Sequence, residues 1–171
     1  QLRPSLFGTS GYGLSSSGTE DSLRLLDRDK LSSHHDTYFT AKNSVIAIFG
    51  DVTSDEAVNL ANKYLGNLPS GERLTHPTQE IPLPSSHELK LDKQQAVLTV
   101  GFTGASAHDE DNLALELIND YCTDMAGPLF TKIREELGLA YYVSATQFHG
   151  STTGMFAFYL GTSPDQLETA K

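Results

Sequence analysis

Gly127-Pro-Leu-Phe-Thr-Lys-Ile-Arg-Glu-Glu-Leu-Gly-Leu-Ala-Tyr-Tyr-Val143 is the stretch on which the fold turns, reading as a short helix, a glycine stop and a strand. Pro128 suits a first helical turn, where a missing N–H costs nothing and the fixed φ fits the helix. Leu129 or Phe130, Ile133 and Leu137 recur at three- and four-residue steps and make one apolar stripe. Gly138 stands where a left-handed C-terminal cap belongs. Ala140-Tyr-Tyr-Val-Ser-Ala145 then opens a strand rich in aromatic and branched residues.

The chemistry of this stretch is a cation and a phenol. Arg134 lies beside the apolar stripe, and Tyr141 opens the strand seven residues later. A helix turning straight into its own strand can bring the two together. They would then offer a charged fork of donors and one neutral O–H, suited to peptide carbonyls or a developing oxyanion. Spacing alone favours a plainer reading, a surface ion pair for Arg134 and a core position for Tyr141.

Downstream, strands are expected over 140–148 and 153–161, joined through the hairpin chemistry of His149-Gly-Ser-Thr-Thr-Gly154. Phe156, Phe158 and Leu160 alternate with Met155, Ala157 and Tyr159, so both faces of the second strand should be covered. Upstream, His87 to Gly104 has strand character, strongest at Gln95-Ala-Val-Leu-Thr-Val-Gly-Phe102. Asp109-Glu-Asp111 opens a helix whose buried stripe should be Leu113, Leu117, Ile118 and Tyr121. That acidic triplet lacks the spacing and glycine of a calcium loop. Acids at a helix start are explained by the dipole.

Earlier still, Thr53-Ser-Asp-Glu56 is a capping box. Its helix carries Ala57, Leu60, Ala61, Tyr64, Leu65 and Leu68 on one side and ends at Gly66 or Asn67. Ser44-Val-Ile-Ala-Ile-Phe-Gly50 is a continuous apolar run of strand length, expected to be buried on both faces. Pro69, Pro77, Pro82 and Pro84 make residues 69–86 an extended connector. Helical patterns run from Thr19 and from Asp29 to about Phe39. Residues 1–22, with Gly8, Gly11, Gly13 and Gly18, read as a loop. Gly8-Thr-Ser-Gly-Tyr-Gly13 misses the spacing of a phosphate loop and has neither the preceding strand nor the following Lys.

At 171 residues the chain is expected to form a single domain, with 1–43 as lead-in loop and helices and 44–171 as the core. Eight Phe, seven Tyr and 38% hydrophobic residues suffice for a core. A net charge of −10 argues against nucleic acid or an anionic membrane as partner. No run approaches the roughly 20 apolar residues of a membrane span, and the compartment is not legible. The single Cys122 excludes an internal disulfide and reads as a small buried hydrophobe. Ser163-Pro164-Asp165-Gln166 starts a helix that the sequence leaves after about two turns. Gln1 and this stub together suggest a segment truncated at its C-terminal helix.

The histidines, His34, His35, His76, His87, His108 and His149, include no pair at i, i+4, so neither zinc helix motif is present. His34 and His35 are adjacent and should diverge on a helix, and His87-Glu88 should diverge on a strand. No metal ligand set or cofactor site is therefore assigned to this segment.

The run Leu31…His35…Tyr38-Phe39…Asn43-Ser-Val-Ile-Ala-Ile-Phe-Gly-Asp-Val52, followed by Ala61-Asn-Lys-Tyr-Leu-Gly-Asn-Leu-Pro69, resembles the second domain of the pitrilysin/insulinase family of zinc metallopeptidases. That family includes the mitochondrial processing peptidases. Phe130-Thr-Lys-Ile-Arg-Glu-Glu-Leu-Gly-Leu-Ala-Tyr-Tyr-Val143 is similar to a second family signature, Phe-x3-Arg-x3-Gly-x2-Tyr, and Tyr12-Gly13 with Gly18-Thr19 to its lead-in. The likeness covers nearly the whole chain. Thr123-Asp-Met-Ala-Gly-Pro128 departs from it, standing where many relatives have a Gly- and Ser-rich approach.

The resemblance implies an α+β fold, a two-layer sandwich of a mixed, mainly antiparallel sheet packed against helices. It implies that zinc is held in the parent's other domain, by an inverted H-x-x-E-H helix, and not here. Arg134 and Tyr141 match the residues that face the substrate backbone and scissile carbonyl. The expected partners are a peptide substrate and a zinc-bearing homologous domain or subunit, with a dimer as one arrangement the resemblance allows. The segment alone is expected to be inactive. The alternative is a non-catalytic subunit or assembly core of the same fold, acting by protein interaction only.

Overall fold

The computed structural model describes residues 2–75 and 79–171. In chain order the elements are α1 (Leu2–Phe7), a 3₁₀ turn (Gly11–Gly13), α2 (Glu20–Arg24), α3 (Arg28–Tyr38), a second 3₁₀ turn (Ala41–Asn43) and α4 (Ser54–Leu65). They are followed by β1 (Ala96–Gly104), α5 (Asn112–Thr123), a π-helix (Leu129–Glu136), β2 (Tyr142–His149), β3 (Gly154–Thr162) and α6 (Leu167–Ala170). Helices accompany a three-stranded antiparallel sheet of order β1-β3-β2, an α+β fold as the resemblance implied. The chain falls into two compact units, Gln1–Ser16 with His76–Lys171, and Ser17–Thr75.

In the first unit β3 is the central strand. Its register sets Phe158 between Val100 and Ala145, and Leu160 between Leu98 and Val143. Phe156, Ala157 and Leu160 are buried, together with Ala145 of β2, Ala140 before it and Phe7 of α1. The expected covering of both faces of this strand is therefore met. Phe156 and Phe158 meet edge to face at 5.2 Å between centroids, the arrangement that ring quadrupoles favour. The hairpin closes through the Gly150 N–H donating to Thr153 O at 2.9 Å. α1 packs on β1, and α5 and the π-helix pack on β2.

α1 corrects the reading of residues 1–22 as a loop, and what fixes it lies far away in sequence. The Phe7 side chain is buried, and Phe7 O accepts from Gln79 Nε2 at 2.6 Å. Gln79 Oε1 in turn accepts the Tyr12 N–H at 3.1 Å. The Tyr12 ring stands between Phe7 and Phe148, at 5.8 and 5.2 Å. Its phenol oxygen shares a hydrogen bond with the Ser151 hydroxyl at 3.0 Å and accepts the Ser151 N–H at 2.8 Å. The Ser151 hydroxyl holds the Tyr12 phenol below its ordinary pKa of 10.0. The glycine-rich turn thus ties α1 to the hairpin tip.

In the second unit the Thr53 capping box forms as read. Thr53 Oγ1 accepts the Glu56 N–H at 3.3 Å, and Glu56 Oε2 accepts the Thr53 N–H at 3.0 Å. The helices expected from Thr19 and Asp29 are α2 and α3, capped by Thr19 and Asp27. The run Ser44–Gly50 is not the expected buried strand. Val45 is 96% and Phe49 94% exposed, and no described strand pairs with the run. The preceding turn is committed elsewhere: Ala41 and Lys42 N–H donate to Pro69 O and Ser70 O. Asn43 brackets Glu72 O and the Leu74 N–H, both at 2.9 Å. Residues 69–74, with Pro69 and Gly71, form no strand that could extend this pairing.

Two further expectations are corrected. Strand character begins at Ala96 and not at His87, and the described residues of 87–95 are irregular. On α5, Leu113, Leu117, Ile118 and Tyr121 are exposed, Leu117 at 72%, while Asn112, Leu115, Asn119 and Cys122 are half-buried. α5 packs on β2, and the half-buried positions of α5 include the polar Asn112 and Asn119. Asn112 Oδ1, Asn119 Oδ1, Gln147 Oε1 and both ring nitrogens of His149 are buried without protein partners. Cys122 is half-buried rather than buried. Pro69, Pro82 and Pro84 lie in irregular chain as expected, whereas Pro77 and His76 lie outside the described residues.

Candidate functional site

The stretch from Gly127 to Val143 builds the site. Its helix winds as a π-helix: the Leu137 N–H donates to Lys132 O at 3.0 Å, one residue further back than in an α-helix. Such windings are rare and recur at functional sites. Leu129, Phe130 and Ile133 are half-buried, while Leu137, which caps the helix, is exposed. Gly138 follows with φ +62°, the left-handed conformation the sequence asked for. It turns the chain toward β2.

Arg134 is exposed on the π-helix. Its guanidinium carbon lies 4.7 Å from the centroid of the Phe130 ring. Among the described residues it has no ion-pair partner; the nearby Glu136 is taken by Lys132 at 2.8 Å. That bond holds the Lys132 ammonium above its ordinary pKa. The surface ion pair open to Arg134 on spacing alone is therefore not made.

Tyr141 is 61% exposed and is not a core aromatic. Its backbone is fixed while its phenol is free: the Tyr141 N–H donates to Gly161 O at 2.8 Å. Gly161 also lies beneath the Tyr142 ring, so close that a Cβ at 161 would run into the ring atoms. The Tyr142 ring then continues toward Tyr159, 6.1 Å away between centroids. Both candidate residues thus belong to one unit, Arg134 on the π-helix and Tyr141 immediately before β2, and those two elements pack on each other. Among the described residues neither side chain makes a hydrogen bond or ion pair that would hide its donors. The contact of Phe130 with Arg134 was available in the sequence as a four-residue spacing. The clamp from Tyr12 to Ser151, 139 residues apart, had no sequence signal.

The histidines do not converge. His34 lies against Tyr38 and His35 against Phe39, so the adjacent imidazoles diverge along α3. His87 Nε2 is 3.1 Å from the Ser85 hydroxyl. Among the described residues no group of three or more His, Cys, Asp or Glu is placed to hold a metal ion. No helix among them is long and apolar enough to cross a membrane.

Residues 26–171 match the family model described as the peptidase M16 inactive domain. The chain belongs to this family. Relatives of the M16 inactive domain include a protein of Bacillus subtilis named as an uncharacterized zinc protease, 28% identical over 98% of this chain and 41% of its own length. A Rickettsia bellii protein of the same description is 30% identical over 88% of this chain and 37% of its own length. The chain thus spans about two-fifths of the relatives it matches. Among solved structures, a peptidase M16 inactive domain from Pseudomonas fluorescens superposes with a TM-score of 0.81 at 26% identity, over 95% of this chain and 40% of that one. Pitrilysin shares the fold, with a TM-score of 0.63 at 16% identity, over 98% of this chain and 19% of that one.

Proposed function

We propose that this M16 inactive domain grips a peptide substrate for a zinc endopeptidase, with the metal held by another domain or subunit. The observation that carries the reading is the state of the two donors. Arg134 on the π-helix and Tyr141 just before β2 are both open to solvent, and among the described residues no carboxylate pairs with the cation. A peptide backbone offers carbonyl oxygens and no charge, so an unpaired guanidinium and a neutral phenol are donors matched to it. In this reading Arg134 holds a carbonyl of the bound chain. Tyr141 donates to the carbonyl oxygen at the bond being cut, where negative charge develops. Zinc, bound elsewhere, supplies the Lewis acid and the activated water. The relatives named as zinc proteases, longer than this chain, support such a division of labour.

The test is kinetic, in the intact zinc-bearing protein. Tyr141→Phe should lower kcat by about 10²- to 10³-fold, the range for loss of one oxyanion donor. KM should change little. An unchanged kcat removes Tyr141 from the reaction.

A further inference from the structure

Arg134 stands in a segment that carries two acids directly after it, Glu135 and Glu136. On a π winding the positions that come beside it, four and five residues away on each side, are Leu129, Phe130, Gly138 and Leu139. None bears a charge. The acid on the neighbouring ridge, Glu136, is held by Lys132 at 2.8 Å. The guanidinium lies over the half-buried Phe130 ring, 4.7 Å from its centroid. An aromatic face attracts a guanidinium without occupying its in-plane N–H groups, so the donor fork stays available.

We infer that Phe130 is a positioning residue, which fixes the Arg134 guanidinium against its ring and so presents the donor fork toward a bound peptide. The inference rests on the proposed peptide grip and extends it to a residue that need not touch the peptide. A long arginine side chain free in solvent gives up much rotamer freedom on binding. Stacking on Phe130 removes part of that freedom beforehand, which strengthens binding by pre-organisation. The Lys132–Glu136 pair has a complementary part, since it occupies a carboxylate two residues from Arg134 that could otherwise compete for the fork.

Two measurements on the full 171-residue chain decide the matter. The first is NMR of the Arg134 side chain. In the unmutated chain its Hδ protons should lie upfield of their random-coil shifts, moved by the ring current of Phe130. In Phe130→Leu they should return toward random coil and the Nε order parameter should fall; Phe130→Tyr should restore both. Random-coil Hδ shifts in the unmutated chain overturn the inference without any variant, as does a Phe130→Leu spectrum unchanged at Arg134.

The second is anisotropy of fluorescein-labelled β-casein, an unfolded polypeptide probe. Phe130→Leu should weaken binding about two- to fivefold, the worth of an exposed cation–π contact, with Phe130→Tyr near the unmutated value. Arg134→Ala should weaken it about tenfold or more. Weakening by Arg134→Ala but not by Phe130→Leu removes the positioning role and leaves the grip. No effect of Arg134→Ala, or no casein binding by the unmutated chain, removes the grip and the positioning role with it.

Discussion

Gly161 does two things for the site at the scale of single residues. Its carbonyl anchors the Tyr141 backbone, and its missing Cβ leaves room for the Tyr142 ring. Gly161→Ala should therefore lower stability by about 1–3 kcal/mol, the usual effect of forcing extra volume into a packed contact. Urea denaturation measures it, and a change below about 0.5 kcal/mol would mean that Tyr142 moves aside freely. Tyr141→Phe is the opposite case. Its hydroxyl is solvent-facing, so stability should stay within about 0.5 kcal/mol of the unmutated chain. Any kinetic loss then reports chemistry rather than folding. The need for Gly138 was readable from the residue type and its place after a helix. The need for Gly161 was not, because it depends on a ring that reaches it across a strand pair.

At the scale of elements, what the sequence made legible was local and what it hid was pairing. The Thr53 box and the hairpin around Gly150 follow from residues within a few positions of each other, and both form. Thr53→Ala should weaken α4 by about 0.5–2 kcal/mol, seen as loss of helical circular dichroism at lower urea. The Glu56 carboxylate accepts from the Thr53 backbone and side chain, which holds its pKa below the ordinary 4.5. A depressed carboxylate contributes stability that is fully present above its unfolded value and is lost as pH falls through the folded one. Acid titration should therefore fray the start of α4 below about pH 4.5, and Glu56→Gln should flatten that pH dependence. A Glu56 carboxyl that NMR finds titrating at or above 4.5 contradicts the cap.

The apolar run at Ser44–Gly50 shows the limit of such reading. Hydrophobicity and length named a strand, but a strand needs a partner, and the chain beside the preceding turn holds Pro69 and Gly71. The stripe of α5 shows the same limit for helices. Leu113, Leu117 and Tyr121 share a face, as spacing dictates, yet the half-buried face is that of Asn112, Leu115 and Asn119. Periodicity finds a face and leaves open what it meets. The π winding of Leu129–Glu136 was equally hidden, since the same residues satisfy an α pattern.

At the scale of the whole molecule, the fold and family were legible because two motifs sat in the right order over most of the chain. The proposed grip entered from the sequence as two candidate residues, Arg134 and Tyr141, whereas the anchor that Gly161 gives the Tyr141 backbone had no sequence signal. The proposed division of labour also makes a prediction for the metal. Equilibrated with one equivalent of zinc and dialysed against a weak chelator, the 171-residue chain should retain far less than one zinc per chain by elemental analysis. Stoichiometric retention would place a metal site within it.

The central claim is that a peptide lies beside Tyr141, and site-specific photo-crosslinking tests it most directly. A benzophenone side chain would replace Tyr141, just before β2, in one variant and Thr152, exposed in the hairpin turn beyond the far end of β2, in another. Each would be irradiated with labelled β-casein. The account predicts a casein adduct at position 141 that unlabelled casein competes away, and little adduct at position 152. Equal adducts at both positions, or none at 141, would contradict it.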